Sequence, residues 1–211
     1  RVCMVNTATM SAEEFGRTAN VSRETLARFE AYEDLLQQWQ QKINLVSRTT
    51  LADVWRRHFL DSLQLQPWID PTVPTLDMGS GAGFPGMVLS IAQDAPFVLV
   101  ESDARKCAFL REVRRVTDAP AEIHDGRVEA MSVENGFGLI IARALAPVSR
   151  LLELARPLLG RDGYCIFLKG ERVEQELEEA SAAWTMDLKK HPSVADPRGV
   201  ILEIRNPDRV L

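Results

Sequence analysis

Cysteine and histidine are scarce in this chain. The 211 residues hold three of each, Cys3, Cys107 and Cys165 with His58, His124 and His191, and they do not cluster. No Cys-x-x-Cys spacing occurs. A zinc site or a disulfide framework is thereby excluded as the organising feature, no metal is expected, and a reducing cytoplasm is the expected setting. Long apolar runs are also missing. None approaches the ~20 residues of a membrane-spanning helix, so no membrane partner is expected. The opening RVCMVNTATM lacks the apolar core and small-residue cleavage site of a secretory signal peptide. An excess of positive charge is absent too. Lys and Arg number 25 against 30 Asp and Glu, for a net charge of −5. That disfavours a protein that coats nucleic acid through bulk charge. Basic residues gather only locally, at Arg56-Arg57-His58, Arg105-Lys106, Arg111, Arg114-Arg115 and Lys189-Lys190-His191. Each cluster reads either as a solvated face or as a set of phosphate contacts. No internal repeat or low-complexity tract is present.

What remains is ample for a folded core, and it changes rhythm once. Residues 11 to 66 read as helical. Ser22 caps a helix whose stripe is Leu26, Phe29, Leu36, Trp39 and Ile43. Asn44-Leu45-Val46-Ser47 breaks it, with Asn44 as a C-cap. Leu51, Val54, Trp55, Phe59 and Leu63 form a second stripe, and Pro67, Pro71 and Pro74 mark a connector. The helical segment is therefore drawn as 1–71 and the second unit as 72–211. In that unit short apolar runs alternate with helical stretches. Strands are expected at 75–76, 97–100, 121–124, 139–142, 164–168 and 200–204, and helices at 84–93, 104–116, 147–159 and 171–183. Such alternation argues an α/β fold with a parallel sheet and helices on both faces. Gly160 is expected to stop the 147–159 helix. Ligands of such sheets sit beyond the carboxyl ends of the strands.

The first strand runs into TLDMGSGAGFPG, which fits two fingerprints. From Gly81 it is G-x-G-x-x-G, the dinucleotide pattern; from Asp77 it is acidic-x-G-x-G-x-G, the S-adenosylmethionine (SAM) pattern. Glycine lets a ligand approach the backbone in both. Glu101, after the second strand, can take ribose hydroxyls in both. Asp77 and Pro85 separate them. A carboxylate facing a pyrophosphate is repulsive, whereas SAM carries an ammonium and a sulfonium. Proline removes an N–H near where a helix N-terminus would hold phosphate. The loop favours SAM over a nicotinamide cofactor.

LDMGSGAGFPG, followed by VLVES, RKCAFLREV, GRVEAM, IIARALAP and FLKG, resembles the RsmG (GidB) family, as do the upstream KINLVS and RRHFLDSL. The resemblance spans roughly residues 30 to 205 in order. It implies a Rossmann-like SAM-dependent methyltransferase fold, with a mostly parallel seven-stranded sheet and an N-terminal helical extension. It implies methyl transfer to N7 of a guanine in 16S rRNA of the small ribosomal subunit, by a bacterial cytoplasmic monomer. The cofactor contacts it carries over are Gly79, Phe84, Val128, Glu129 and Arg143, beside Asp77, Gly81, Gly83 and Glu101 from the loop itself. Glu101 stands where many relatives have aspartate, which keeps the carboxylate.

Guanine N7 has a lone pair and no proton, so the reaction needs positioning rather than a general base. Arg143 and Lys169, at the ends of strands four and five, are expected to orient the guanine. His58 is not required as a base. It could reach the chemistry only if the helical segment folds over the cofactor mouth. A SAM enzyme acting on a small molecule or a protein, or a non-catalytic module of this fold, are the competing readings.

Overall fold

The structure is a computed structural model that describes residues 9–210. Cys3 and most of the opening segment lie outside the described residues. Two serine caps start the helical segment. Ser11 accepts from the Glu14 N–H ahead of α1 (Ala12–Ala19), and Ser22 from the Thr25 N–H ahead of α2 (Arg23–Gln40). A short α3 (Arg48–Leu51) leads to a π-helical turn, Trp55–Leu60, and then α4 (Asp61–Leu63). The second unit follows as β1 (Thr75–Met78), α5 (Gly86–Gln93), β2 (Phe97–Glu101), α6 (Ala104–Thr117), β3 (Glu122–Asp125) and β4 (Phe137–Arg143). It ends with α7 (Val148–Ala155), β5 (Leu159–Lys169), α8 (Val173–Ser181), β6 (Trp184–Pro192) and β7 (Val200–Arg209).

The seven strands form one sheet in the order β3-β2-β1-β4-β5-β7-β6. All neighbours are parallel except β7, which runs antiparallel to β5 and β6. Chain order reverses between β1 and β4, which opens a crevice at their carboxyl ends. Alternate residues of β4 serve opposite faces. Leu139 and Ile141 join the core shared with α2, α5 and α6, while Ile140 and Ala142 join the core under α7 and α8.

The helical segment has no core of its own. Phe15, Phe29, Tyr32 and Phe59 are fully buried in the same cluster as Met87, Phe109 and Ile166. Phe59 lies against Trp55 and Phe29, with ring centroids 4.7 and 5.3 Å away. Such pairs contribute ~0.5–1.5 kcal/mol each beyond burial. Arg28 then pins α2 to the carboxyl ends of α5 and α6. It donates to the carbonyls of Thr117 (2.6 Å), Ile91 (3.2 Å) and Asp118 (3.0 Å), groups that helix ends leave unpaired.

Three local expectations need correcting. The helix after β4 is halted by Pro157, inside a 3-10 turn, rather than by Gly160, which lies in β5. Asn44 is not a C-cap, because α2 has already ended with Gln41 in that position. Helix α5 starts at Gly86, not Phe84, since the Phe84–Pro85 dipeptide belongs to the turn before it. The Lys189-Lys190-His191 cluster lies on β6, an edge strand, with Lys189 and Lys190 facing solvent. Charged side chains on an edge discourage pairing with another chain.

Candidate active site

Strand β1 delivers Asp77 to the root of the glycine loop. The side chain does not face the ligand crevice as the charge argument expected. It is wholly buried, and its Oδ2 accepts the Gly86 N–H at 3.0 Å. A carboxylate therefore already occupies the N-terminus of α5, where a pyrophosphate would have to go. The structure thus disfavours a dinucleotide for a different reason from the one the sequence suggested. Burial pushes the Asp77 carboxyl up to about 6. Its Oδ1 is buried without a hydrogen-bond partner among the described residues.

The glycines divide by task. Gly81, at φ +58°, has open space where a side chain would stand, the nearest atom being 3.9 Å away. It forms a bare floor for a ligand. Gly79, at φ +68°, would drive a Cβ into Leu145. Gly83, at φ +90°, faces inward, where a Cβ would strike the Tyr32 hydroxyl and Met87. It is packed tightly beneath the loop. Glu101 closes the other side of the floor. It accepts the Gly81 N–H at 2.9 Å through Oε2 and the Asp103 N–H at 2.8 Å through Oε1.

Above this floor lies a cavity of about 430 Å³, bordered by Gly79, Gly81, Phe84, Glu101, Val128, Glu129 and Arg143. Leu45, Val46, Lys106 and Leu145 also face it. The N-terminal segment does fold over the mouth. A second cavity, of about 600 Å³, adjoins the first and is bordered by Arg57, Asp61, Lys169, Glu176 and Arg198. Arg143, Ala144 and Leu145 wall both. Ala144 holds φ +53°, a left-handed conformation unusual for a residue with a side chain, at the point where the cavities meet.

Two cations stand at that junction. Arg143 Nη1 donates to the Arg57 carbonyl and to Asp61 Oδ2, each at 3.1 Å, and Nη2 donates to His58 Nδ1 at 2.8 Å. Burial pushes the Asp61 carboxyl up, and Arg143 beside it pulls the other way. Burial, together with the positive charges of Arg143 and Arg57, holds the His58 imidazole down at about 3. His58 is neutral and is no proton acceptor at physiological pH. Lys169 pairs with Glu176 at 2.6 Å and donates to the Ala146 carbonyl at 2.9 Å. Glu176 also accepts the Val148 N–H at 3.1 Å. Lys169 thus braces the turn after β4.

Comparison with known proteins bears on what this pair of cavities serves. Residues 25–202 match the GidB family, described as rRNA small subunit methyltransferase G. The chain belongs to this family. Relatives named ribosomal RNA small subunit methyltransferase G agree over nearly their whole length. That of Gluconobacter oxydans is 51% identical over 191 residues, covering 90% of this chain and 98% of the relative. That of Paramagnetospirillum magneticum is 47% identical over 201 residues, covering 95% and 98%. A solved methyltransferase from Geobacter sulfurreducens shares the fold, with a TM-score of 0.57, 15% identity, and coverage of 93% and 99%. A putative O-methyltransferase from Klebsiella pneumoniae gives 0.59 at 14% identity, covering 85% and 90%.

For a GidB-family chain the two cavities gather most of the residues marked in the sequence. Gly79, Gly81, Phe84, Glu101, Val128, Glu129 and Arg143 face the first, Arg143 and Lys169 the second, and Asp77 and Gly83 lie beneath the loop. Glu129 is tied to Arg150 at 2.6 Å. Sequence reasoning missed Tyr32, Asp61, Leu145 and Glu176. Tyr32 donates to the Ala82 carbonyl and stacks on Phe84 at 5.4 Å. The signal for Asp61 was present in RRHFLDSL, where an acid follows the histidine by three residues. Several expected phosphate ligands are engaged at home. Arg57 pairs with Asp196 at 2.7 Å, Arg105 with Asp103 at 3.2 Å and Arg115 with Glu112 at 2.7 Å. Among the described residues no group of His, Cys, Asp and Glu could hold a metal, and no helix is long and apolar enough to cross a membrane.

Proposed function

We propose that this protein transfers the methyl group of SAM to N7 of a guanine in 16S rRNA, acting as a cytoplasmic monomer on the small ribosomal subunit. The observation that carries this reading is the junction of two cavities at Arg143–Leu145, with an open glycine floor on one side and a recess of paired cations and carboxylates on the other. The floor suits SAM. Gly81 leaves the backbone bare, and Glu101 keeps lone pairs for ribose hydroxyls after accepting two loop amides. Val128 and Glu129 border the adenine side.

SAM supplies an activated methyl on sulfur; transfer breaks the sulfur–carbon bond and forms the carbon–N7 bond. N7 gives its lone pair and loses no proton, so the site needs no base. That agrees with the only imidazole there, His58, being held neutral and already hydrogen bonded. Arg143 and Lys169, each balanced by a carboxylate, offer N–H donors to an electron-rich acceptor. Arg143 suits O6, beside N7 on the same edge of the base. The main task of such a site would be to hold N7 in line with the methyl and its sulfur.

Labelled SAM should be incubated with small subunits from cells lacking the enzyme, and the product nucleosides identified by mass spectrometry. Label in N7-methylguanosine is expected. Label only in another nucleoside, or only in protein, refutes the proposal.

A further inference from the structure

We infer that His58 and Asp61 are positioning residues for methyl transfer. With the Arg57 carbonyl they form a socket that fixes the plane of the Arg143 guanidinium between the two cavities and decides which of its donors face the acceptor. The identity of the acceptor rests on the reading above; the socket itself does not.

Donor counting gives the argument. A guanidinium carries five N–H groups and accepts nothing. Nη1 uses both of its hydrogens, on the Arg57 carbonyl and Asp61 Oδ2. Nη2 uses one, on His58 Nδ1. The remaining two, one on Nε and one on Nη2, are the donors left for an acceptor. Donors held in a fixed plane suit an oxygen lying in that plane, such as guanine O6. Rotation of the guanidinium would break all three socket bonds.

The socket is itself oriented. Arginine can only donate, so His58 Nδ1 must carry its lone pair and Nε2 the proton. Nε2 lies 2.9 Å from the Thr50 hydroxyl oxygen, and that hydroxyl donates onward to the Ser47 carbonyl at 3.1 Å. The His58 ring stacks on Phe84 with centroids 4.7 Å apart and planes at 27°. The Arg143 guanidinium carbon stands 5.1 Å from the same ring's centroid. The π-helical turn completes the set. The Asp61 N–H bonds back to the Arg56 carbonyl, five residues earlier, and the Arg57 carbonyl meets Arg143. Wide turns of this type recur at functional sites.

Two substitutions separate positioning from packing. His58→Phe keeps a flat ring on Phe84 and deletes the acceptor. His58→Asn loses the ring but keeps an oxygen where Nδ1 stood. Turnover, SAM affinity and the imidazole 15N shifts are measured on the full chain, with small subunits as acceptor. His58→Phe should lower kcat about ten- to hundredfold, the worth of one hydrogen bond to a charged group. His58→Asn should return kcat to within about threefold of the wild type, with SAM affinity held in both variants. In an Arg143→Ala background, under single-turnover conditions, His58→Phe should cause no further loss. The 15N shifts should show Nδ1 bare and Nε2 protonated in the wild type, and this signature should change in Arg143→Ala. Equal slowing of wild type and Arg143→Ala by His58→Phe overturns the socket, as does a protonated Nδ1. Should the labelled nucleoside prove not to be N7-methylguanosine, the acceptor reading falls. The cycle and the 15N signature still decide the socket.

Discussion

Asp77→Asn isolates the cost of a buried charge beneath the glycine loop. An asparagine oxygen can still accept the Gly86 N–H, so the variant removes charge and keeps the bond. The wild-type carboxyl sits at about 6 against an ordinary 3.8. At 1.36 kcal/mol per pH unit this amounts to ~3 kcal/mol. The raised value means that the folded chain binds more protons than the unfolded chain between those two pH values. The stability linked to that proton is fully present below the ordinary carboxyl value and is lost as pH rises through about 6. The N-terminus of α5 favours the anion and offsets up to ~1 kcal/mol. The variant should therefore gain on the wild type by ~2–3 kcal/mol between about pH 4 and about pH 7.5. At ~2–4 °C per kcal/mol for a chain of this size, Tm should diverge by ~4–12 °C. Urea unfolding followed by tryptophan fluorescence at four pH values reads the difference directly. Parallel stability profiles for the two proteins would refute the claim that the Asp77 charge is costly.

Other outcomes test the remaining assignments. Gly83→Ala combines a left-handed backbone with collisions at Tyr32 and Met87, and should cost ~2–6 kcal/mol in urea unfolding. Gly81→Ala meets only open space, so it should cost ~1–2 kcal/mol in stability while weakening SAM by more than about tenfold in calorimetry. Glu101→Ala deletes the acceptor of two loop amides, and SAM affinity should fall about ten- to hundredfold, the equivalent of ~1.5–3 kcal/mol. Phe59→Ala empties the centre of the aromatic cluster; a loss of ~3–5 kcal/mol is expected by thermal or urea melting.

The parallel sheet and its loop were legible because their determinants are local. Apolar runs, a glycine turn and an acid after the second strand all lie within short windows. Strand β6 escaped because its period-two pattern is masked by charge. Trp184 is buried and Met186 and Leu188 are half-buried, while Thr185, Asp187 and Lys189 face solvent. Asp77 was legible as important and misread in direction, because the partner that decides its orientation, the Gly86 N–H, appears only once α5 is placed. Most distant from sequence reasoning was the junction. Arg143 reaches Arg57, His58 and Asp61 across more than eighty residues of chain, and no local rule couples a π-helical turn to the end of a strand.

The shared core has a consequence for the order of synthesis. Helix α2 leaves the ribosome well before α5 and α6, yet Phe29, Tyr32 and Leu36 are buried in a cluster those later helices complete. The early helices can form first but cannot fully bury their aromatic face until α5, α6 and the strand residues Leu139, Ile141 and Ile166 have been added. The His58 side chain waits for Arg143, a further 85 residues along the chain. During that interval a nascent chain exposes an aromatic stripe that chaperones, or a neighbouring copy, can grasp.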